Sequence, residues 1–310
     1  MHNLHKQKKG QGMQFNWIFI VVSGAIILVF FSAFGIRYAE LQKSKENAQI
    51  ARSIDNIING LKGQEQYKTI DISNSFNFKF KCDSFSINND YQQKLNSKII
   101  FANSNIKVNK LYAWTKEFRK AYKVDNLIYL IDANRQYFFI KDGNEDYVNE
   151  LFIEIPSEFS NIKKISMQEL EGFDIKGKNN EFVFFKEPSE DGLNAIKEKG
   201  IVVVIDTARG FARFGQESYK IMDTPLVFGA IFSGSLESYK CSYDSLKEKF
   251  SSINNIYTKK AEYLQGCCSV NNCDYSGARQ ELLNFNIESN SDNLKLVNDE
   301  LYNSGCKVIF

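Results

Sequence analysis

The sequence predicts an α+β protein carried on an N-terminal transmembrane helix. Residues 15–36 contain no charged residue, and about 20 apolar helical residues are enough to cross a hydrocarbon core. Beyond this span, short apolar runs typical of strands alternate with segments of helical periodicity. We therefore expect a mixed β-sheet domain with one βαβ-like unit, followed by a long C-terminal helical region.

Composition and periodicity divide the chain into five segments. The expected boundaries are 1–14 for a basic cytoplasmic n-region, 15–36 for the transmembrane helix, 37–62 for a juxtamembrane stalk helix, 63–233 for an α+β domain and 234–310 for a cysteine-containing helical region packed on it. The soluble part of about 270 residues is long enough to bury a sizeable core.

The transmembrane helix is expected to continue into the stalk. Apolar residues at helical spacing follow the span at Ile50, Ile54, Ile57, Ile58 and Leu61. No helix breaker separates them from the span, and Gly60 supplies a stop. One helix from Trp17 to about Gly60 is therefore predicted.

Four apolar runs in the first part of the soluble region predict strands, at 76–82, 98–102, 126–132 and 136–140. The last two runs are separated by a short link, which predicts a hairpin. Residues 111–122 fit a helix and a strand equally well. Residues 142–180 are polar and lack clear periodicity, so we expect loops or a boundary between lobes there.

The βαβ-like unit is predicted from three consecutive segments. They are a strand at 181–185, a helix at 189–199 closed by Gly200, and a buried strand at 201–206. Residues 211–214 follow a turn and are expected to return as a hairpin partner of the second strand.

The longest soluble helix is predicted at 235–265. Its apolar residues follow steps of four and three over nearly four heptads, at Tyr239, Tyr243, Leu246, Phe250, Ile253, Tyr257 and Leu264. A seam of this kind packs against another helix. We expect the partner to be Leu294, Val297 and Leu301 of the same chain, with self-association as the alternative.

The absence of histidine from the soluble region excludes several classes of site. His2 and His5 both precede the span, so Ser-His-Asp triads, Cys-His pairs and HExxH zinc sites are excluded beyond it. A formal net charge of +2 excludes a strongly basic nucleic-acid-binding footprint. Chemistry that uses carboxylates or lysine stays open.

Three short patterns carry little chemical specificity. Asp206 ends a buried strand, where α/β enzymes often place catalytic groups, but no phosphate-binding loop follows it and a turn-forming role is favoured. Asp174 and Lys176 form a D-x-K triplet that is too short to identify a nuclease site. The aromatic and basic residues of 114–122 are more typical of a core than of a nucleic-acid surface. We therefore name no catalytic, cofactor-binding or metal-binding residue and expect no cofactor.

Six cysteines, all beyond the span, favour disulfide bonds in a translocated domain, with six reduced thiols as the alternative. They are Cys82, Cys241, Cys267, Cys268, Cys273 and Cys306. No C-x-x-C pair is present, which disfavours a structural zinc site. The predicted helix of about 26 residues spans roughly 39 Å and separates Cys241 from Cys267. We expect Cys241 to bond a residue C-terminal to Cys268, and Cys82 to take one of the remaining partners.

Three signals bear on the side of the membrane. Lys and Arg are equally frequent near the two ends of the span, and acids beyond it slightly favour a cytoplasmic N-terminus. The even number of cysteines favours a domain outside the cytoplasm. The absence of any N-x-[ST] motif points to a cytoplasmic domain or to a host that does not glycosylate it. We expect a single-pass cell-membrane protein with an extracytoplasmic C-terminal domain.

The run KKGQ, which ends at Gly10 and Gln11 and precedes a long apolar stretch, resembles the archaeal class III signal of type IV pilin-like proteins. The resemblance covers residues 6–36 and implies cleavage between Gly10 and Gln11 in an archaeal host. Phe15 departs from the pattern, since bacterial relatives usually carry an acid there, and this bears on filament assembly more than on anchoring. A plain uncleaved signal anchor is the alternative.

These observations together predict a non-enzymatic interaction or structural protein of the cell surface, in the form of a pilin-like component. Its expected partners are the membrane, a protein that the sequence does not identify, and a second copy of itself, but not nucleic acid. A membrane-tethered enzyme that uses Asp206 is one alternative. A cytoplasmic adaptor held at the membrane is the other.

Overall fold

The computed structural model describes residues 10–63, 65–96, 98–173, 175, 177, 179–196, 198–267 and 273–310. The chain forms two compact units that meet between Ile50 and Ala51. A long N-terminal helix is followed by mixed sheets and C-terminal helices, which confirms the predicted α+β class.

The first helix, α1 (Gly10–Leu61), runs without interruption, as predicted. Its N-terminal part has a mean hydropathy of 2.6, and among the described residues it is the helix long and apolar enough to cross a membrane. The last turns of α1 belong to the second unit. There one face of the helix is buried, through Ala51, Ile54, Ile58 and Leu61.

The first sheet has six strands in the order β3-β2-β1-β5-β6-β4. The strands are β1 (Tyr67–Phe80), β2 (Ser84–Ile87), β3 (Tyr91–Lys94), β4 (Ile100–Ala102), β5 (Asn105–Arg119) and β6 (Lys123–Asp132). Neighbouring strands are antiparallel except β4 and β6, which are parallel. Residues 111–119, which fitted two structures equally well, are therefore part of a strand.

The last turns of α1 contact one face of the first sheet. Lys98 Nζ lies 2.5 Å from Asp55 Oδ1, and Asn126 Nδ2 donates to the carbonyl oxygen of Lys62 over 2.7 Å. Ile100 pairs with Ile128 in the parallel strands β4 and β6. Lys98 and Asn126 each lie two residues before these partners, so both are on the same side of the sheet. The end of α1 therefore covers this face.

The second sheet also has six strands, in the order β12-β11-β10-β9-β7-β8. They are β7 (Gln136–Ile140), β8 (Ile162–Ile165), β9 (Asn180–Phe184), β10 (Ile201–Asp206), β11 (Phe211–Phe214) and β12 (Glu217–Lys220). Strands β7 to β10 are parallel, and β11 and β12 are antiparallel to their neighbours. The predicted βαβ-like unit and the return of 211–214 beside β10 are both present.

Three short helices connect the parallel strands, namely α2 (Glu145–Glu154), α3 (Met167–Glu171) and α4 (Glu190–Ile196). The described residues thus contain three strand–helix–strand connections, two more than the sequence pattern showed. The expectation of loops at 142–180 was wrong, because this segment supplies α2, β8 and α3. Apolar residues of this segment are buried at Val148 and Leu151, while Ile153 and Phe173 are exposed.

The predicted hairpin of 126–132 with 136–140 was also wrong. Strand β6 belongs to the first sheet and β7 to the second, so the short link passes the chain from one sheet to the other. A link of three residues can form a hairpin or can pass the chain to a second sheet. Which of the two occurs depends on how the other strands pair.

The remaining helices are α5 (Thr224–Ser233), α6 (Leu236–Cys267), α7 (Tyr275–Asn284) and α8 (Asp292–Asn303). Every residue from Leu226 to Ser233 is buried, because α5 is apolar on all sides and packs in the core that the two sheets share. Most of the predicted seam of α6 is buried in the same core, so α6 packs within the chain, but its main helical neighbour is α7 and not the predicted residues of α8.

Candidate functional site

A groove of about 470 Å³ lies at the edge of the second sheet where its parallel strands end. The loop after β10 contributes Thr207 and Gly210, α2 contributes Tyr147, and Glu117 and Asp223 line the opposite side. Ligands of open parallel sheets bind at this edge. We call this groove the edge groove.

Local sequence explains how the walls of the edge groove are placed. Gly210 has a φ of +70°, which glycine adopts without strain, and it closes the turn between β10 and β11. Asp223 precedes α5, and Pro225 occupies the first turn of that helix, where its missing N–H is not needed. The apolar body of α5 then fixes this helix start against the core.

The charged side chains at the edge groove are paired with one another. Glu117 accepts from Arg119 Nε over 2.7 Å and lies 2.9 Å from Lys123 Nζ. Lys120 Nζ lies 3.0 Å from Asp223 Oδ2. Each of these carboxylates therefore already has a cationic partner.

The pKa values of two groups at the edge groove are displaced further from neutral pH. Hydrogen bonds from Lys123 and Arg119 lower the pKa of Glu117, and burial raises the pKa of Tyr147 to about 12. A general acid or base works best with a pKa near the ambient pH. Neither group is therefore tuned for proton transfer at neutral pH.

Of the residues singled out from the sequence, those of 114–122 reach the edge groove through Glu117, Phe118 and Arg119. Asp206 ends β10, and its Oδ1 accepts from the backbone N–H of Arg209 over 2.9 Å, which is a turn interaction. Trp114, Phe118 and Tyr122 are buried in the shared core, in line with the interpretation of 114–122 as core. Gly10 and Gln11 form the start of α1. Asp174, Lys176 and Cys268 lie outside the described residues.

A second polar site, which the sequence did not reveal, is buried at the opposite end of the second sheet. Arg135 and Glu181 are 8% and 1% exposed, and Arg135 Nη1 donates to Glu181 Oε2 over 3.3 Å. Asn161 Nδ2 donates to the carbonyl oxygens of Asp132 and Arg135 over 2.9 and 2.8 Å. These four residues hold the link that passes from the first sheet to the second.

Burial determines the electrostatics of this second site. It raises the pKa of Glu181 to about 8, although Arg135 lowers it in part, and it also raises the pKa of Asp132. Three buried atoms, Arg135 Nε, Asn161 Oδ1 and Glu181 Oε1, have no hydrogen-bond partner. An unpartnered buried polar atom carries a desolvation penalty of about 1–3 kcal/mol, so this site is a weak point of the core.

A sequence signal for this buried pair does exist. Arg135 lies two residues before the apolar run YFFI, and Glu181 directly precedes the apolar run FVFF. A charged residue just before such a run, on strands that become neighbours, is placed to pair across the sheet. The signal needs the pairing of β7 with β9, which the chain order does not reveal.

Two disulfides join pairs of cysteines that both lie within the described residues. Cys82 bonds Cys241 with a Cα–Cα distance of 5.4 Å, and Cys273 bonds Cys306 with a distance of 5.8 Å. Cys267 is also disulfide-bonded. The expectation that Cys241 pairs beyond Cys268 was wrong, because the β1–β2 turn lies against the first turns of α6.

In the part of the chain that the structure describes, no three histidine, cysteine, aspartate or glutamate side chains stand close enough to hold a metal ion. Comparisons of this chain with protein-family models, curated proteins and solved structures find no match.

Proposed function

We propose that this chain is a single-pass membrane protein whose folded domain lies outside the cytoplasm and acts by binding other molecules rather than by catalysis. The observation that carries the proposal is the course of α1. One helix contains the apolar span and ends as a buried element of the second unit, through Ile54, Ile58 and Leu61. The helix that contains the apolar span thus also supplies core residues of the second unit.

The disulfides support the location. Disulfides persist in oxidising compartments and are rare in the cytosol, and this domain contains the pairs Cys82–Cys241 and Cys273–Cys306. The even number of cysteines predicted the same compartment. The proposal therefore rests on two independent features, an anchor and a set of oxidised thiols.

The edge groove supports the second half of the proposal. Its carboxylates are paired with lysine and arginine, and the shifted pKa values of Glu117 and Tyr147 move away from neutral pH. We therefore assign the domain a role in interaction. A pilin-like role at the cell surface belongs to the same proposal, supported by the KKGQ signal and by the contact of α1 with the first sheet.

Cysteine labelling in intact cells tests the location. Cells that produce the full chain are treated with a membrane-impermeant reductant and a membrane-impermeant maleimide reagent, and the mass of the labelled protein is measured. Labelling of Cys82 and Cys241 before lysis supports the proposal. Labelling only after lysis, with a cytoplasmic thiol protein as control, would show a cytoplasmic domain.

The intact mass of unlabelled protein from the same membranes tests the signal. Cleavage between Gly10 and Gln11 predicts a chain that begins at Gln11. A mass that still includes residues 1–10 would leave a plain anchor and remove the pilin-like part of the proposal.

A further inference from the structure

We infer that an exposed patch on strands β1, β3 and β5 of the first sheet binds an acidic polysaccharide. The patch carries four exposed lysines on neighbouring strands or at their ends, Lys79, Lys81, Lys94 and Lys107. We call these residues the lysine face. The inference deepens the proposed function and rests on it, since it names a partner found outside the cytoplasm.

Strand register brings the four lysines together. Ser84 pairs with Lys94, and the backbone N–H of Lys81 donates to the carbonyl oxygen of Ser84 over 2.8 Å. Lys81 and Lys94 are therefore two strands apart in one row, about 10 Å at the usual strand spacing. Lys79 lies two residues before Lys81 on the same side of β1. Asn77 lies two residues before Lys79 on that side, and it pairs with Lys107 of β5.

The opposite face of the same strands is buried, which fixes the lysine face outward. Phe76, Phe78, Phe80, Phe85 and Ile87 alternate with the outward residues and are all in the core. Because side chains alternate along a strand, a slip of one residue would bury the lysines. The lysines are thus held on the surface by the packing of five large apolar side chains.

The lysine face carries an uncompensated positive charge. Within the described part of the chain none of its four lysines forms an ion pair, although Asp83 and Glu248 line a cavity together with Lys94. A surface of one sign attracts an extended partner of the opposite sign. Charge complementarity therefore selects a polyanion.

The side chains between the lysines favour a sugar polymer over other polyanions. They are amides and a hydroxyl, Ser86, Gln92 and Asn105, which both donate and accept hydrogen bonds as sugar hydroxyls require. No large apolar side chain between residues 68 and 152 is exposed in the described parts of that range. Membrane-surface sites add apolar side chains that enter the lipid, and single-strand nucleic-acid sites add aromatic stacking platforms.

Binding of purified full-length protein to polygalacturonate, in detergent and at low salt, tests the inference. The triple variant Lys79→Gln, Lys81→Gln, Lys107→Gln is expected to bind about tenfold more weakly, since each exposed charge contact contributes modestly. The matched control is Lys259→Gln, Lys295→Gln, Lys307→Gln, which removes three exposed lysines from the helical region. It is expected to bind as the native chain does, and circular dichroism checks the folding of both variants.

Four outcomes would overturn the inference. They are absence of binding to polygalacturonate, equal loss in the two triple variants, binding to neutral dextran of equal strength, and preference for duplex DNA or phosphatidylglycerol vesicles over polygalacturonate. Because the assay uses purified protein, its failure leaves the cysteine-labelling result intact. A cytoplasmic location from that labelling would overturn the proposed function whatever the binding assay shows.

Discussion

At the residue scale, Arg135 and Glu181 are a charged pair buried in the second sheet. A buried carboxylate loses the hydration that stabilises its charge, and one hydrogen bond of 3.3 Å from Arg135 restores only part of it. The pKa of Glu181 is therefore raised to about 8. The folded chain holds a proton on Glu181 at pH values where the unfolded chain has released it.

Glu181→Gln is expected to reduce the pH dependence of stability. A raised carboxyl pKa contributes stability below the pKa of the unfolded chain, and this contribution is lost as the pH rises to about 8, on the order of 1 kcal/mol per pH unit. The glutamine variant should therefore gain stability relative to the native chain between pH 5 and 8. Thermal unfolding at several pH values in this window measures the difference.

Glu187→Gln is the control for this experiment, because Glu187 is an exposed carboxylate that pairs with Arg213 near the same sheet. It should leave the pH profile as in the native chain. Parallel profiles for the native chain and Glu181→Gln would contradict the assignment of the raised pKa.

At the element scale, the last turns of α1 are core rather than linker. Ala51, Ile54, Ile58 and Leu61 recur at steps of three and four and are all at most 2% exposed. Lys98 and Asn126 fix the helix end on the first sheet through Asp55 and the carbonyl oxygen of Lys62. The segment predicted as a stalk therefore contributes directly to the stability of the second unit.

Ile58→Ala is expected to lower the free energy of unfolding of the second unit by about 3 kcal/mol, through lost burial and the cavity left behind. Its neighbour Ile57 is only partly buried on the same helix, so Ile57→Ala should have an effect below about 1 kcal/mol. Thermal unfolding of the two full-length variants in detergent compares them. Equal effects would mean that this face of α1 does not pack as the structure shows.

The elements that the sequence predicted share a strong local signal. The uninterrupted apolar run predicted α1, the heptad steps predicted α6, and the runs EFVFF and IVVVID predicted β9 and β10. Helix α5 was missed, although Pro225 and Gly234 bracket a run that is apolar on every side. A run of that kind has no polar face, so it lacks the periodicity that identifies a surface helix.

The partners of strands and cysteines depend on long-range contacts, which local patterns do not contain. The link between β6 and β7 is as short as a hairpin turn, yet it crosses between sheets because α5 and the aromatic core separate the two strands. The buried pair of Arg135 and Glu181 escaped prediction for the same reason. Each residue looks ordinary alone, and the site exists only once β7 lies beside β9.

At the scale of the whole molecule, the two disulfides close loops of very different length. The pair Cys82–Cys241 is separated by 159 residues and joins the first sheet to α6. The pair Cys273–Cys306 is separated by 33 residues and lies within the C-terminal helical region. A cross-link that closes a longer loop removes more conformational entropy from the unfolded chain.

Replacement of each pair by serine should rank the two disulfides. Cys82→Ser with Cys241→Ser is expected to lower the free energy of unfolding by about 5 kcal/mol, and Cys273→Ser with Cys306→Ser by about 4 kcal/mol. Unfolding in denaturant measures both, and non-reducing peptide mapping verifies the pairs. A larger loss from the C-terminal pair would contradict the loop-length argument.

The bond between Cys82 and Cys241 also determines what a protease can release from the molecule. A single cut between these two residues leaves both fragments covalently attached, because the N-terminal fragment holds Cys82 and the C-terminal fragment holds Cys241. The N-terminal fragment also carries the apolar helix. A chain cut between Cys82 and Cys241 would therefore keep both fragments together until a reductant opens the bond, whereas a cut between α1 and Cys82 would separate the helix from the rest of the chain without any reduction.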